Sequence, residues 1–188
     1  IDMSNITGEI RFYESYDGTR IPVIMVYRND MKPDGNNPVL LTGYGGFNVG
    51  ISPGYYGGYA ALINRGVVVV EPGIRGGDEY GEHWHRDGML MKKQNTFDDF
   101  NACADWLVRE KITSPSRIVA RGGSNGGLLM GAVAVQRPDL YKAILCAVPL
   151  LDMIRYHKFL IARYWIPEYG SSENEADFRN ILRYSPYH

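Results

Sequence analysis

Residues 117–136 read RIVARGGSNGGLLMGAVAVQ, and the reading of the fold turns on them. Arg117 to Arg121 has the apolar makeup of a short strand, and Asn125 to Gln136 that of an almost wholly apolar helix. Between them Gly122-Gly123-Ser124-Asn125-Gly126-Gly127 fits G-x-S-x-G, a turn so tight that its serine is forced into a strained backbone conformation. Glycines two before and two after the serine keep strand and helix from colliding. Such an elbow sets a serine hydroxyl above a helix N-terminus, where the Asn125 N–H can meet an oxyanion. Ser124 is thereby the candidate nucleophile. A structural glycine turn with an incidental serine stays open as the alternative, because G-x-S-x-G is a short pattern.

The flanks alternate in the same way. Upstream, Glu9 to Tyr16 and Ile21 to Tyr27 read as strands joined by Asp17-Gly18, a hairpin-type turn. Val39 to Thr42 is a short apolar run ended by Gly43-Tyr44-Gly45-Gly46-Phe47, and Gly66 to Val70 is a further strand. Tyr55 to Asn64 reads as a helix. Thr96 to Glu110 reads as an amphipathic helix with Phe97, Phe100, Cys103, Ala104 and Leu107 on one face, Thr96 and Asp99 forming a capping pair at its start. Ala143 to Val148 is a buried strand, a helical region starts at Asp152, and a helix lies near Glu175 to Leu182. Strands apolar throughout and alternating with helices predict a parallel sheet covered on both faces, preceded by an antiparallel hairpin: an α/β, doubly wound class.

The bulk numbers bound the function. With 188 residues, 45% hydrophobic and 22% charged, one domain with its own core is expected. A formal net charge of −1 without Lys/Arg runs argues against nucleic acid or an anionic membrane as partner, and no apolar run reaches membrane-spanning length. Cys103 and Cys146 sit in apolar surroundings without a disulfide or metal pattern, as small buried hydrophobes, which fits a reducing compartment; a cytoplasmic location is expected, with the periplasm as the alternative. The loop at 43–47 is placed to supply a second oxyanion donor. As a phosphate cradle it fails the dinucleotide pattern, since Asn48 stands where the last glycine belongs. His83-x-His85 lacks a third metal ligand and reads as loop histidines flanking Trp84.

Several stretches taken together resemble the prolyl oligopeptidase family. They are Gly43 to Asn48, Ile74 to Gly81 (IRGGDEYG), Lys93 to Phe100 (KQNTFDDF), Gly122 to Leu129, Gln136 to Leu140 and Tyr184 to Pro186, in order from residue 8 onward. The resemblance implies a partial α/β-hydrolase fold over residues 1–188 and a serine peptidase that cuts short peptides on the carboxyl side of proline. It implies that the Tyr44 hydroxyl joins the Asn125 N–H in the oxyanion hole. It also implies that Trp165 stacks on the proline ring, with Phe47 and Tyr169 as further pocket residues. Asn125 after the serine, together with Trp165, separates the chain from relatives that usually carry alanine or tyrosine there. Thr42 departs from the mammalian form, which resembles the rest of the loop but has tyrosine at that place.

A serine hydroxyl needs a histidine to take its proton and an acid to orient that histidine. The resemblance places both on loops after two later strands, beyond His188, and places a β-propeller before the catalytic domain. Asp152 with His157 or His188 meets the required chain order only nominally. The 188-residue chain is therefore expected to be inactive by itself, to leave an unpaired strand edge, and to be poorly soluble or loosely packed. The full-length form is expected to be monomeric, with no metal or organic cofactor. An esterase or acylaminoacyl-releasing hydrolase, and a non-catalytic fragment, are the rival readings.

Overall fold

Alternating side chains along Ile6–Glu14 (β1) and Arg20–Arg28 (β2) build an antiparallel hairpin in register from Ile6 opposite Arg28 to Glu14 opposite Arg20. The computed structural model describes residues 4–55 and 57–188. The remaining strands are Val39–Thr42 (β3), Val68–Pro72 (β4), Ile118–Gly123 (β5) and Ala143–Ala147 (β6). Among the described residues these six form one mixed sheet in the order β1-β2-β4-β3-β5-β6. β2 meets β4 antiparallel, and the pairs β3/β4, β3/β5 and β5/β6 are parallel. The strands begin or end up to three residues from where pattern alone put them, since β4 runs on to Pro72 and β1 starts at Ile6.

The helices are Ala60–Ile63 (α1), Glu82–Arg86 (α2), Gln94–Arg109 (α3), Asn125–Gln136 (α4), Ile166–Tyr169 (α5) and Glu175–Leu182 (α6). The valine run of β4 is apolar throughout because it serves two cores. Val68 and Val70 join Val23, Met25, Leu41 and the α3 and α4 side chains on one face, while Val69 meets Ile24, Val26 and Ile63 on the other. On α3 the stripe of Phe97, Phe100, Cys103, Ala104 and Leu107 is fully buried, as its spacing requires. The α6 start is capped by Asn174, whose Oδ1 accepts from Ala176 and Asp177 N–H at 3.0 and 3.1 Å.

Four expectations need correction. Thr96 and Asp99 do not cap α3, which begins at Gln94. Asp99 is instead fully buried and accepts from Arg75 Nε (2.9 Å) and Nη2 (2.6 Å) and from Ser15 Oγ (2.5 Å), tying α3 to the hairpin and to the turn after β4. The region from Asp152 is a series of 3-10 turns at Tyr156–Lys158 and Ala162–Trp165 rather than a helix, broken by Leu160 with φ +49°. The stretch Tyr55 to Asn64 holds only a 3-10 turn and the one-turn α1, and its Tyr56 lies outside the described residues. Among the described residues β6 is the expected unpaired edge, but Cys146 on it is exposed rather than buried in the core, as is Leu145 at 52%. Exposed Val148, Leu160 (98%) and Ile161 continue this bare apolar surface.

Candidate active site

The elbow occupies the carboxyl end of β5. Ser124 has φ 59° and ψ −117°, a conformation that L-residues avoid. It is held there by its N–H donating to Ala147 O (3.0 Å) and by its own carbonyl accepting from Gly127 and Leu128 N–H (2.8 and 3.1 Å). A Cβ on Gly122 would stand 2.3 Å from Gly126 O, and one on Gly126 would stand 2.6 Å from Gly43 O. Strand, turn and neighbouring loop thus close on one another only because both positions lack a side chain. Ser124 itself is exposed, and Asn125 behind it is buried. The Asn125 N–H belongs to the first turn of α4, where N–H groups have no helical partner and face the positive end of the helix dipole.

The loop after β3 comes to the same spot. Tyr44 is half-buried and lines the same cleft as Ser124. Burial first, and then the Glu168 carboxylate, raise the Tyr44 phenol above its ordinary pKa against the opposing influence of the Ser124 hydroxyl, so it stays a neutral O–H donor. The Asn125 side chain spans the site. Its Nδ2 donates to Tyr44 O (2.6 Å) and its Oδ1 accepts from the Tyr169 hydroxyl (2.7 Å).

Tyr44, Phe47, Ser124, Leu150, Trp165 and Tyr169 line one cleft of about 280 Å3. Phe47 meets Tyr169 edge-on with centroids 5.6 Å apart, and Trp165 with centroids 6.4 Å apart. Tyr156 packs edge-on behind Tyr169 at 5.4 Å. Such walls suit a flat apolar ring that brings no N–H donor. All six sequence-stated candidates therefore meet around Ser124, with Asn125 reaching the cleft from behind through its bonds. A larger apolar hollow of about 440 Å3 shares Ser124, Leu150 and Trp165 with this cleft and is bounded further by Val148, Leu151, Phe159 and Ile161.

Three residues gave no signal of a role in the sequence. Glu168 accepts the Phe47 N–H through Oε1 (3.0 Å) and pairs with His85 Nε2 through Oε2 (2.7 Å). Lys93 donates to Gly45 O at 2.7 Å, with its Nζ 4.0 Å from Glu168 Oε1. Lys93 opens the stretch KQNTFDDF and Glu168 stands between Trp165 and Tyr169, yet nothing in the sequence shows that the two meet. His85 sits on α2 rather than on a loop, and its partner is this carboxylate. The other histidines make no bond to Ser124: His83 meets Trp84 edge-on, His157 lies 3.6 Å from Glu173 with both ring nitrogens buried and without a hydrogen-bond partner, and His188 pairs with Ser185 Oγ at 2.9 Å. The distance from His188 Nε2 to Asp152 is 4.0 Å. Among the described residues no three His, Cys, Asp or Glu side chains gather as for a metal, and no helix is long and apolar enough to cross a membrane.

A mixed sheet in this strand order, with a strained serine between strand and helix at its carboxyl edge, defines an α/β-hydrolase fold. Residues 55–188 match the prolyl oligopeptidase family, and the chain belongs to that family of serine peptidases. It is 44% identical over 190 residues to prolyl oligopeptidase ophP of Omphalotus olearius, a match covering 100% of this chain and 25% of that protein. With the prolyl endopeptidase of Dictyostelium discoideum it shares 43% identity over 179 residues, covering 93% of this chain and 23% of the relative. A solved structure from work on two prolyl endopeptidases superposes with a TM-score of 0.98 at 51% identity, covering 100% of this chain and 28% of the other. A post-proline cleaving enzyme from Rickettsia typhi gives 0.96 at 40% identity, covering 100% and 27%. The chain spans about a quarter of the length of the curated relatives it matches.

Proposed function

We propose that this chain forms the nucleophile-bearing part of a serine endopeptidase that hydrolyses short peptides on the carboxyl side of proline. The observation that carries the reading is the cleft itself, where an exposed strained serine, a neutral phenol donor and three aromatic walls converge. In the proposed reaction Ser124 Oγ attacks the prolyl carbonyl carbon and gives its proton to a general base. The carbonyl oxygen becomes an anion held by the Tyr44 O–H and the Asn125 N–H. The C–N bond then breaks, the amine leaves with the proton, and water releases the prolyl product from Ser124 by the same steps in reverse.

Trp165 gives the pyrrolidine ring an apolar face, with Phe47 and Tyr169 closing its edges. No histidine among the described residues bonds to Ser124, and the chain spans about a quarter of its relatives' length, so in this reading the base and its orienting acid come from other parts of the full-length protein and the 188-residue chain alone is inactive. The test is hydrolysis of a blocked Gly-Pro reporter by the full-length gene product. Ser124→Ala is expected to abolish turnover, and unchanged turnover in that variant overturns the proposal.

A further inference from the structure

The loop that carries Tyr44 and Phe47 has little regular structure of its own, and Phe47 and Asn48 both have positive φ (56° and 58°). Such a loop keeps one geometry only when its surroundings over-determine it. Three polar tethers do so, each from a different helix or its edge. Asn125 of α4 holds Tyr44 O, Lys93 at the start of α3 holds Gly45 O, and Glu168 of α5 holds the Phe47 N–H.

The third tether differs in kind. Glu168 is only 4% exposed, and burying a carboxylate is costly unless it is paired. Here two groups compensate it, His85 at 2.7 Å and Lys93 at 4.0 Å, with Lys93 itself 1% exposed. An amide would satisfy one backbone N–H without that expense. Glu168 also directly precedes Tyr169 and follows Trp165 by three residues, so it shares a turn with both aromatic walls.

We infer that Glu168, compensated by Lys93 and His85, is a positioning residue that locks the oxyanion loop to the helix carrying the proline slot. The inference rests on the proposed function and deepens it. Seating a proline ring against Trp165 and Tyr169 steadies α5, and the Glu168 bond passes that order to Phe47 and hence to the Tyr44 hydroxyl. Preference for proline then appears in the acylation rate as well as in binding. The carboxylate has a second effect along the same line, since its charge helps keep Tyr44 protonated.

The test is Glu168→Gln in the full-length gene product. Glutamine keeps an acceptor for the Phe47 N–H and removes the charge. A displacement of the loop by an ångström lowers kcat for a prolyl reporter by roughly 10–100-fold. The ratio of kcat/KM for Pro over Ala on the acyl side of the cleaved bond falls with it, while KM changes little. Because a lone substitution in a buried charged trio endangers folding, Glu168→Gln/Lys93→Met removes both opposite charges together. This variant is expected to regain thermal stability without regaining the Pro/Ala ratio. Stable variants with the parental ratio and kcat overturn the inference.

The rate at which a fluorophosphonate labels Ser124 separates this result from the fate of the proposed substrate. Labelling slowed in Glu168→Gln, in a protein that cuts no prolyl peptide, supports the positioning role and removes the substrate reading. Labelling at the parental rate in a folded variant counts against the positioning role whatever the substrate.

Discussion

Replacing Ser124 by glycine should make the protein more stable, and the size of the gain follows from the elbow geometry. At φ 59° and ψ −117° an L-residue carries a strain of order 1–3 kcal/mol, which glycine does not. Against this stands the greater freedom of glycine in the unfolded chain, which costs roughly 0.5–1 kcal/mol. Little packing is lost, because the Ser124 side chain is exposed. The net expectation is a gain of about 1 kcal/mol for Ser124→Gly. Ser124→Ala keeps the Cβ, and with it the strain, so its stability should stay within about 0.5 kcal/mol of the parent. Urea unfolding of both variants in the full-length gene product, followed by tryptophan fluorescence, measures the difference. Both should be inactive, so activity cannot confuse the comparison. An alanine variant as stable as the glycine variant, or more so, would refute the claim that the backbone of Ser124 is strained.

Tyr44→Phe removes one oxyanion donor and should lower kcat by about 10²–10³ with KM nearly unchanged; steady-state kinetics on a prolyl reporter checks this. Lys93 carries a pH signature. Burial pulls its pKa down to about 8, against the opposing pull of Glu168. Between pH 8 and the unfolded value near 10.4, the unfolded chain binds a proton that the folded chain has released, so stability rises with pH through that window. Below it the full cost of burying the charge is present, about 3 kcal/mol for a shift of this size. Lys93→Met should lower the slope of unfolding free energy against pH, relative to the parent, between pH 7.5 and 9.75. The comparison with the parent is needed because the Cys103 thiol, its pKa raised by burial, acts with the opposite sign above about pH 8.5 in both proteins, and Tyr169 does so above about pH 10. Arg75→Met strands the buried Asp99 carboxylate and should cost about 3–5 kcal/mol, whereas Arg75→Met/Asp99→Leu should recover part of that loss in denaturant unfolding.

The elbow could be read from local sequence because its demands are local. Gly122 and Gly126 approach each other and Gly43 so closely that only these residues fit, and the strand and helix beside them have plain patterns. The double-sided burial of β4 showed in its unbroken valines for the same reason. Asp99 was misread because Thr-x-x-Asp near a helix start mimics a cap, while its true partner Arg75 is fixed by tertiary structure 24 residues away. Apolar composition marked β6 as a strand and Cys146 as buried, but composition alone does not tell that Cys146 stays open to water on an edge strand. Trp165, Phe47 and Tyr169 came from resemblance alone, since an isolated tryptophan pattern favours an ordinary core residue. The Glu168, Lys93 and His85 cluster draws one side chain from each of three helical segments, so no spacing along the chain announces it.

The nucleophile and the sheet edge share one hydrogen bond, from Ser124 N–H to Ala147 O at 3.0 Å. Among the described residues β6 pairs on one side only, with β5, and its side chains are largely open to water. Fraying of that strand therefore frees the serine amide, and the exchange of this single amide hydrogen with deuterium gauges how firmly β6 is seated. Whatever lies against the outer side of β6 tightens or loosens the elbow without touching a single residue of the cleft.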